Sequence, residues 1–128
     1  MSTNSYKDGV AWFFAQVFNE GNFQPIDDLI GDNYTFNGQH QTRDQLKQWV
    51  TGLRAELAGL HFDHNDLLGD GCQVAIRWTL FGTKDGVLMT NTGTNILTFG
   101  TDGKCLSNWQ NGGTPADLHP AGQQQAAA

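Results

Sequence analysis

Residues 60–82 decide the fold, and they read LHFDHNDLLGDGCQVAIRWTLFG. Apolar and polar residues follow each other here with a period of two. This period predicts one strand from about His61 to Leu68 and a second from Cys72 to Phe81. Between them, Asp70-Gly71 is a strong signal for a two-residue hairpin turn. We therefore expect an antiparallel pair of strands in the middle of the chain.

Two further strands follow this pair. A turn at Gly82–Gly86 leads into a long strand from Leu88 to Phe99, and the dipeptide Asp102-Gly103 makes another tight turn. The last strand then runs from Lys104 to Asn111. Connections this short join neighbouring antiparallel strands, so the second half of the chain is predicted to be a four-stranded meander.

Helices are predicted before residue 60, with one short strand at Tyr34–Asn37. The first helix carries an apolar stripe with helical spacing, formed by Val10, Phe13, Phe14, Val17 and Phe18. Pro25 suits the start of a short second helix, and Thr42 to Gln45 forms a capping box for a third. Three helices cannot cover both faces of the sheet. We therefore expect an α+β fold in which the sheet curls around the helices and leaves a cavity at its open end.

Composition excludes several classes of function. The chain has 38% hydrophobic and 16% charged residues, as in ordinary globular domains. Its net charge of −6, from 13 acidic and 7 basic residues, gives no basic surface for nucleic acid or for an anionic membrane. The first residues lack a basic segment followed by an apolar run, so no signal peptide and a cytoplasmic location are expected.

Short motifs in a fixed order carry a resemblance to a known family. They are Phe18–Asn22 after the first helix, Asp32–Gly38, Leu60–Phe62, Leu67–Gly71 and Val74–Trp78, and they are followed by Gly82-Thr83, Asp102–Lys104 and Trp109. Over nearly all of residues 6–113 the chain resembles the nuclear-transport-factor-2-like superfamily, and within it the SnoaL-like polyketide cyclase group.

This resemblance implies a cone-shaped barrel in which a strongly curved, mostly antiparallel sheet wraps around the helices and a deep pocket, the NTF2-like or cystatin-like fold. The sequence itself predicts a single domain at 1–113, with 114–128 as a poorly ordered tail. The resemblance also implies a homodimer formed through the outer face of the sheet. The superfamily contains both enzymes and proteins that only bind, so the fold alone gives no reaction.

Three residues are candidates for catalysis. Arg77 lies in the middle of an apolar strand, and in similar epoxide hydrolases an arginine on the matching strand lies in the pocket. There it would stabilise developing negative charge, although alternation leaves open that it faces solvent instead. By alternation His64 and Asp66 share one face of their strand, and either of them could move a proton. Asp63 shares the other face with His61.

The last strand departs from the pattern of the family. In similar cyclases and epoxide hydrolases a catalytic aspartate lies on this strand, where the present chain has the amides Gln110 and Asn111. An amide orients a ligand by hydrogen bonding but does not take up a proton at neutral pH. The expected ligand-binding set therefore combines aromatic and apolar residues with neutral polar ones: Phe14, Phe18, Trp49, Leu53, Thr79, Asn95, Trp109, Gln110 and Asn111.

These observations predict a SnoaL-like pocket protein that binds or converts a small apolar or polycyclic carbonyl compound. If it is an enzyme, we expect cyclisation, isomerisation or hydration by acid–base chemistry, with no cofactor and no metal. The alternative is a non-catalytic domain for small-molecule binding or dimerisation. An epoxide hydrolase is less favoured because the usual aspartates are absent, Thr79 standing in place of one of them.

Overall fold

Helices occupy most of the first half of the chain in the computed structural model, which describes residues 2–122. Helix α1 spans Thr3–Phe14 and continues directly into a π-helical turn at Ala15–Asn19. Helix α2 spans Gln24–Leu29, with its proline in the first turn, and helix α3 spans Arg43–Glu56. The capping box predicted for α3 is confirmed. The backbone N–H of Gln45 donates to Thr42 Oγ1, and the backbone N–H of Thr42 donates to Gln45 Oε1.

Within residues 2–122, seven strands form one sheet. They are β1 (Ile30–Phe36), β2 (Gln39–His40), β3 (Ala58–Asp70), β4 (Gln73–Lys84), β5 (Val87–Phe99), β6 (Cys105–Gly112) and β7 (His119–Pro120). The sheet order is β2-β1-β6-β5-β4-β3, and β7 adds to β5. The antiparallel meander β3-β4-β5-β6 is as the sequence predicted.

The sheet is mixed rather than antiparallel throughout. Strand β1 returns beside β6 and pairs with it in parallel, which brings Phe36 opposite Asn108. The sheet is curved but its two edges, β2 and β3, do not meet, so the predicted cone-shaped barrel is an open one. The α+β class is confirmed. The parallel pairing matters for the site, because it places the end of β1 beside the last strand.

The core lies between the helices and the inner face of the sheet. In β4 every second residue from Val74 to Leu80 is buried, and the residues between them are more exposed. Helix α1 covers this face with Val10, Phe13 and Phe14. Alternation therefore separates an inner face, which packs on the helices, from an outer face.

The end of the described chain is structured. A 3₁₀ turn at Pro115–Asp117 leads into β7, which pairs with Met89 and Thr90 of β5. These residues belong to the segment 114–128 for which the sequence predicted poor order, and residues 123–128 of it lie outside the described residues. Within residues 2–122, no helix has the length and apolar character needed to cross a bilayer.

Candidate functional site

A cavity of about 740 Å³ lies between the inner face of the sheet and the helices. Residues from α1, the π-helical turn, α3 and strands β1, β4, β5 and β6 line it. Most of the wall is hydrocarbon, and its aromatic members are Phe13, Phe14, Phe18, Tyr34, Phe36, Trp49, Phe62, Trp78 and Phe99. A volume of this size is typical of sites for small organic molecules.

The rings on one side of the cavity form a continuous aromatic wall. Phe18 stacks on Phe14 with centroids 5.4 Å apart and lies 4.5 Å from Phe62. Phe62 in turn lies 4.8 Å from Trp78, and Trp49 of α3 meets Phe18 edge-on at 6.0 Å. The π-helical turn carries Phe18 in this wall, next to rings from α1, β3 and β4. Such a wall offers a large, flat contact area with little rotamer entropy to lose on binding.

A buried cluster of amides forms the polar part of the wall, and it adjoins the aromatic part at Trp78. Asn95 is its centre: its Oδ1 accepts a hydrogen bond from Trp78 Nε1 at 2.6 Å. Its Nδ2 donates to Asn108 Oδ1 at 2.9 Å and to Gln110 Oε1 at 3.3 Å. Strand pairing produces this cluster, because Asn95 lies opposite Gln110 and Asn108 lies opposite Leu97 of the same inner face. The cluster is neutral and its internal bonds fix the orientation of each amide.

Two weak acids in the cavity wall stay protonated. Tyr34 of β1 is buried, and this burial raises the pKa of its phenol well above the usual value, with a smaller opposing effect from a hydrogen bond with the Asn108 side chain. Burial raises the pKa of the Cys105 thiol to about 12 in the same way. At neutral pH the deep part of the cavity therefore presents neutral donors and acceptors. The phenol of Tyr34 is a donor that can meet a carbonyl oxygen.

Charged side chains occur only at the rim among the described residues that line the cavity. Lys84 Nζ lies 2.7 Å from Glu56 Oε1, and both side chains are about half exposed. The hydrogen bond and the charge of Glu56 raise the pKa of Lys84. Glu56 is the one carboxylate among the described residues that line the cavity, and it is paired and solvated.

Most of the predicted ligand-binding residues line the cavity: Phe14, Phe18, Trp49, Leu53, Asn95 and Gln110. The structure places Thr79, Trp109 and Asn111 on the outer face instead. Thr79 Oγ1 donates to Asn65 at 2.8 Å, Trp109 lies opposite Ile96, and Asn111 lies opposite Thr94. The strand register decides which face each of these three side chains takes, because neighbouring residues in a strand point to opposite faces of the sheet.

The structure does not bring the three candidate catalytic residues to the cavity. Arg77 lies on the outer face, the alternative that alternation left open, and its Nε is 2.6 Å from Asp66 Oδ2, with more than half of each side chain exposed. The ladder shifts register between His64 and Asp66, so a bulge at Asn65 breaks the alternation that put these two on one face. His64 lies opposite Trp78 and is exposed, whereas Asp66 lies opposite Arg77.

Sequence reasoning left several polar residues of the cavity wall out of the predicted site, among them Tyr34, Asn37, Asn91 and Asn108. Period-two alternation from Gln110 was the signal that could have found Asn108. Asn37 follows the end of β1 with a positive φ of 49°, and its Oδ1 accepts the backbone N–H of Gln110 at 2.7 Å. This contact ties the end of β1 to the last strand and could not be inferred from periodicity.

Comparison with known proteins agrees with this architecture. The family model of SnoaL-like polyketide cyclases matches residues 9–112. There is no significant match among curated proteins.

Solved structures with the same fold are numerous, and three illustrate the similarity. A candidate polyketide cyclase from Acidithiobacillus ferrooxidans is 23% identical, with 91% of this chain and 94% of that chain covered and a TM-score of 0.75. TsrD from Streptomyces laurentii is 15% identical over 88% and 91% of the two chains, with a TM-score of 0.78. A SnoaL-like polyketide cyclase from Agrobacterium tumefaciens is 16% identical over 91% and 95%, with a TM-score of 0.74. At such identities the likeness concerns the fold.

Proposed function

Because this chain belongs to the SnoaL-like polyketide cyclase family, we propose that its cavity binds a flat, largely apolar compound that carries a carbonyl group. One observation carries the proposal: in a cavity of about 740 Å³, an aromatic wall adjoins a buried cluster of neutral hydrogen-bonding groups. Apolar walls with a few fixed polar groups are the usual construction of small-molecule sites.

The neutral cluster favours a carbonyl over a charged group. Asn95 and Asn108 bond to each other, and Asn108 bonds to Tyr34. We take the NH₂ of Asn108 as the donor to the phenol oxygen, because its Oδ1 already accepts from Asn95. The O–H of Tyr34 then donates to the ligand. A neutral acceptor such as a carbonyl suits this donor, whereas a buried carboxylate would lack a cationic partner in the deep part of the described cavity.

A second candidate function is cofactor-free proton transfer on the same ligand. The position of Glu56 at the rim favours it, because a carboxylate there could take a proton from the carbon next to the carbonyl, and Tyr34 would stabilise the resulting enolate oxygen. Gln110, on the strand that carries an aspartate in similar cyclases, cannot act as the base. The roles predicted for Arg77, Asp66 and His64 stay predictions, and loss of turnover in an Arg77→Ala variant would support them.

We test binding with anthraquinone and with anthracene, which has the same shape but no carbonyl group. Titration of tryptophan fluorescence serves as the readout because Trp49 and Trp78 line the cavity. We expect anthraquinone to bind about 5- to 10-fold more tightly, the effect of one hydrogen bond of about 1 kcal/mol. Tyr34→Phe removes this difference. Thr79→Val, on the outer face, is the control that keeps it.

Saturable binding of neither compound would contradict the proposal. Equal binding of both compounds to the wild-type protein would contradict the role of Tyr34. Incubation with α-tetralone in D₂O separates the two candidate functions, because this ketone, unlike anthraquinone, has exchangeable hydrogens on the carbon next to its carbonyl. Only an enzyme accelerates the exchange of these hydrogens for deuterium, and its rate falls in Glu56→Gln.

The same proposal includes a homodimer formed through the outer face of the sheet. Four apolar residues lie in one row across neighbouring strands there: Leu68 pairs with Ala75, Ala75 with Ile96, and Ile96 with Trp109. Trp109 is 53% exposed and Leu68 is 67% exposed in the single chain. An apolar row of this length on a sheet face is typical of a protein interface. The cytoplasmic location expected from the sequence stays a prediction.

A further inference from the structure

The chain leaves the ladder of the sheet between β6 and β7. The ladder of β5 with β6 ends at the pair Gly93 and Gly112, and the ladder of β5 with β7 begins at the pair Thr90 and His119. Strand β5 has only positions 91 and 92 between these two pairs, whereas the segment facing it has positions 113–118. The extra residues cannot stay in the ladder, so residues 113–118 form a loop, which we call the 113–118 loop.

The 113–118 loop lies on the inner face of the sheet. Pro115 and Leu118 line the cavity, and Leu118 packs against the core. Asn91 is buried on the inner face and holds the loop there, because its Nδ2 donates to the carbonyl oxygen of Thr114 at 2.9 Å. The loop is therefore a part of the cavity wall that lies outside the strand ladder.

Hydrogen bonds within the loop give it a fixed shape. Asp117 Oδ2 accepts from the backbone N–H of Thr114 at 3.2 Å and from its hydroxyl group at 2.8 Å. The backbone N–H of Asp117 donates to the carbonyl oxygen of Thr114 at 2.9 Å, and the ring of Pro115 restricts the backbone further. A wall of fixed shape rejects a ligand that overlaps with it, whereas a loose loop would move aside.

The aromatic wall leads to this loop. Its rings run from Phe18 over Phe62 to Trp78. The tip of the Trp78 ring lies so close to Gly113 that a Cβ there would be 2.3 Å from it. The loop is thus the next part of the wall beyond Trp78, and Leu118 has the largest side chain of the loop residues that line the cavity.

We propose that the 113–118 loop limits the length of the ring system that the cavity accepts, with Leu118 as the specificity-determining residue. The inference rests on the proposed function and names its ligand class more closely. The ligand is a flat carbonyl compound whose ring system lies along the aromatic wall and ends at Leu118 when its carbonyl oxygen bonds to Tyr34. A longer ring system meets the Leu118 side chain, which the fixed loop holds in place.

The test compares anthraquinone with 5,12-naphthacenequinone, which has the same quinone ring and one more fused ring. Tryptophan fluorescence gives both affinities. Leu118→Ala removes most of the side chain at this wall, and we expect it to raise the ratio of naphthacenequinone affinity to anthraquinone affinity about 10-fold. Leu118→Phe enlarges the side chain and lowers this ratio. Leu106→Ala, at an exposed position of β6 that does not line the cavity, is the matched control and keeps the wild-type ratio.

The ratio separates this role from a loss of stability, because a variant that merely folds less well binds both quinones more weakly by the same factor. Should Leu118→Ala not fold, Leu118→Val tests the same direction. The inference is overturned if either change in size at Leu118 fails to move the ratio in its expected direction, or if Leu106→Ala moves it as much. If the wild type binds anthraquinone while the ratio stays constant, only the role of the loop fails. If the wild type binds neither quinone, the proposed function fails as well.

Discussion

Asn95 is the residue on which the polar side of the cavity depends. It satisfies the indole N–H of Trp78 and links Asn108 and Gln110, three side chains from two other strands. Its two polar atoms take part in three hydrogen bonds, which is close to the capacity of an amide. An aspartate or leucine at this position would leave at least one buried partner unsatisfied. The neutral character of the site is therefore built into its hydrogen bonding.

The two buried weak acids, Cys105 and Tyr34, make the free energy of unfolding fall as the pH becomes alkaline. The pKa of Cys105 is raised from 9.0 to about 12 in the folded protein, so above pH 9.0 the unfolded chain releases a proton that the folded chain keeps. Stability is thus fully present below this pH and falls by about 1.4 kcal/mol per pH unit as the pH rises toward the folded value. Tyr34 adds a similar loss at higher pH, since its pKa is raised too.

We predict that Cys105→Ala reduces this alkaline loss, measured as the change in unfolding free energy between pH 8 and pH 11 by urea denaturation. Cys72→Ala removes the same chemical group from an exposed position and leaves the slope as in the wild type. Identical slopes in all three proteins would show that the thiol of Cys105 is not held protonated by burial.

Strand β5 shows how an element shapes the cavity. Gly93 lies opposite Trp78 and pairs regularly, with no bulge in the ladder. A Cβ at this position would lie 2.3 Å from the Trp78 ring, and so would one at Gly113. The two glycines therefore make room for the indole, whose N–H reaches Asn95. Glycine is needed at these two positions because the Trp78 ring lies very close to the backbone there, and not because the strand bends.

Gly93→Ala is expected to destabilise the protein by about 1–3 kcal/mol, because the indole must leave its position. The same exchange at Gly52 of α3, where an added Cβ meets no atom within 4 Å, should stabilise it by about 0.5–1 kcal/mol. Thermal unfolding of the two variants checks both signs. A stable Gly93→Ala protein with unchanged anthraquinone binding would refute the packing role of this glycine.

The sequence predicted the meander and the aromatic wall because both follow from strong periodicity. It could not predict which side of a strand each polar residue takes, since one extra residue inverts the pattern. The bulge at Asn65 broke the alternation between His64 and Asp66 in this way. For Gln110 and Asn111, the sequence did not show which of the two side chains faces the cavity. Tyr34 and Asn37 have opposite parity, yet both line the cavity because the strand ends between them.

At the scale of the whole molecule, the two faces of the sheet differ in their surroundings. The inner face and the helices enclose the cavity, and the outer face carries the apolar row that ends at Trp109. The ring of Trp109 also lies against Gly38, beyond the end of β1. A partner on the outer face would bury this row without closing the cavity, whose rim lies at Glu56 and Lys84. Assembly and ligand binding can therefore be tested independently.

We predict that the wild-type protein sediments as a dimer and that Trp109→Lys sediments as a monomer, since a charge in the row cannot be buried without a partner. Trp12→Lys is the control, because Trp12 is also partly exposed, at 40%, but lies on α1. A monomeric wild type, or a Trp109→Lys dimer, would contradict this assignment of the outer face.

The most direct test of the central claim is a crystal structure of the protein grown with anthraquinone. The account predicts that the ring system lies in the cavity against the aromatic wall of Phe18, Phe62 and Trp78, with a carbonyl oxygen within hydrogen-bond distance of the Tyr34 hydroxyl. An anthraquinone bound on the outer face beside Trp109, or a cavity filled by the protein's own side chains, would contradict it.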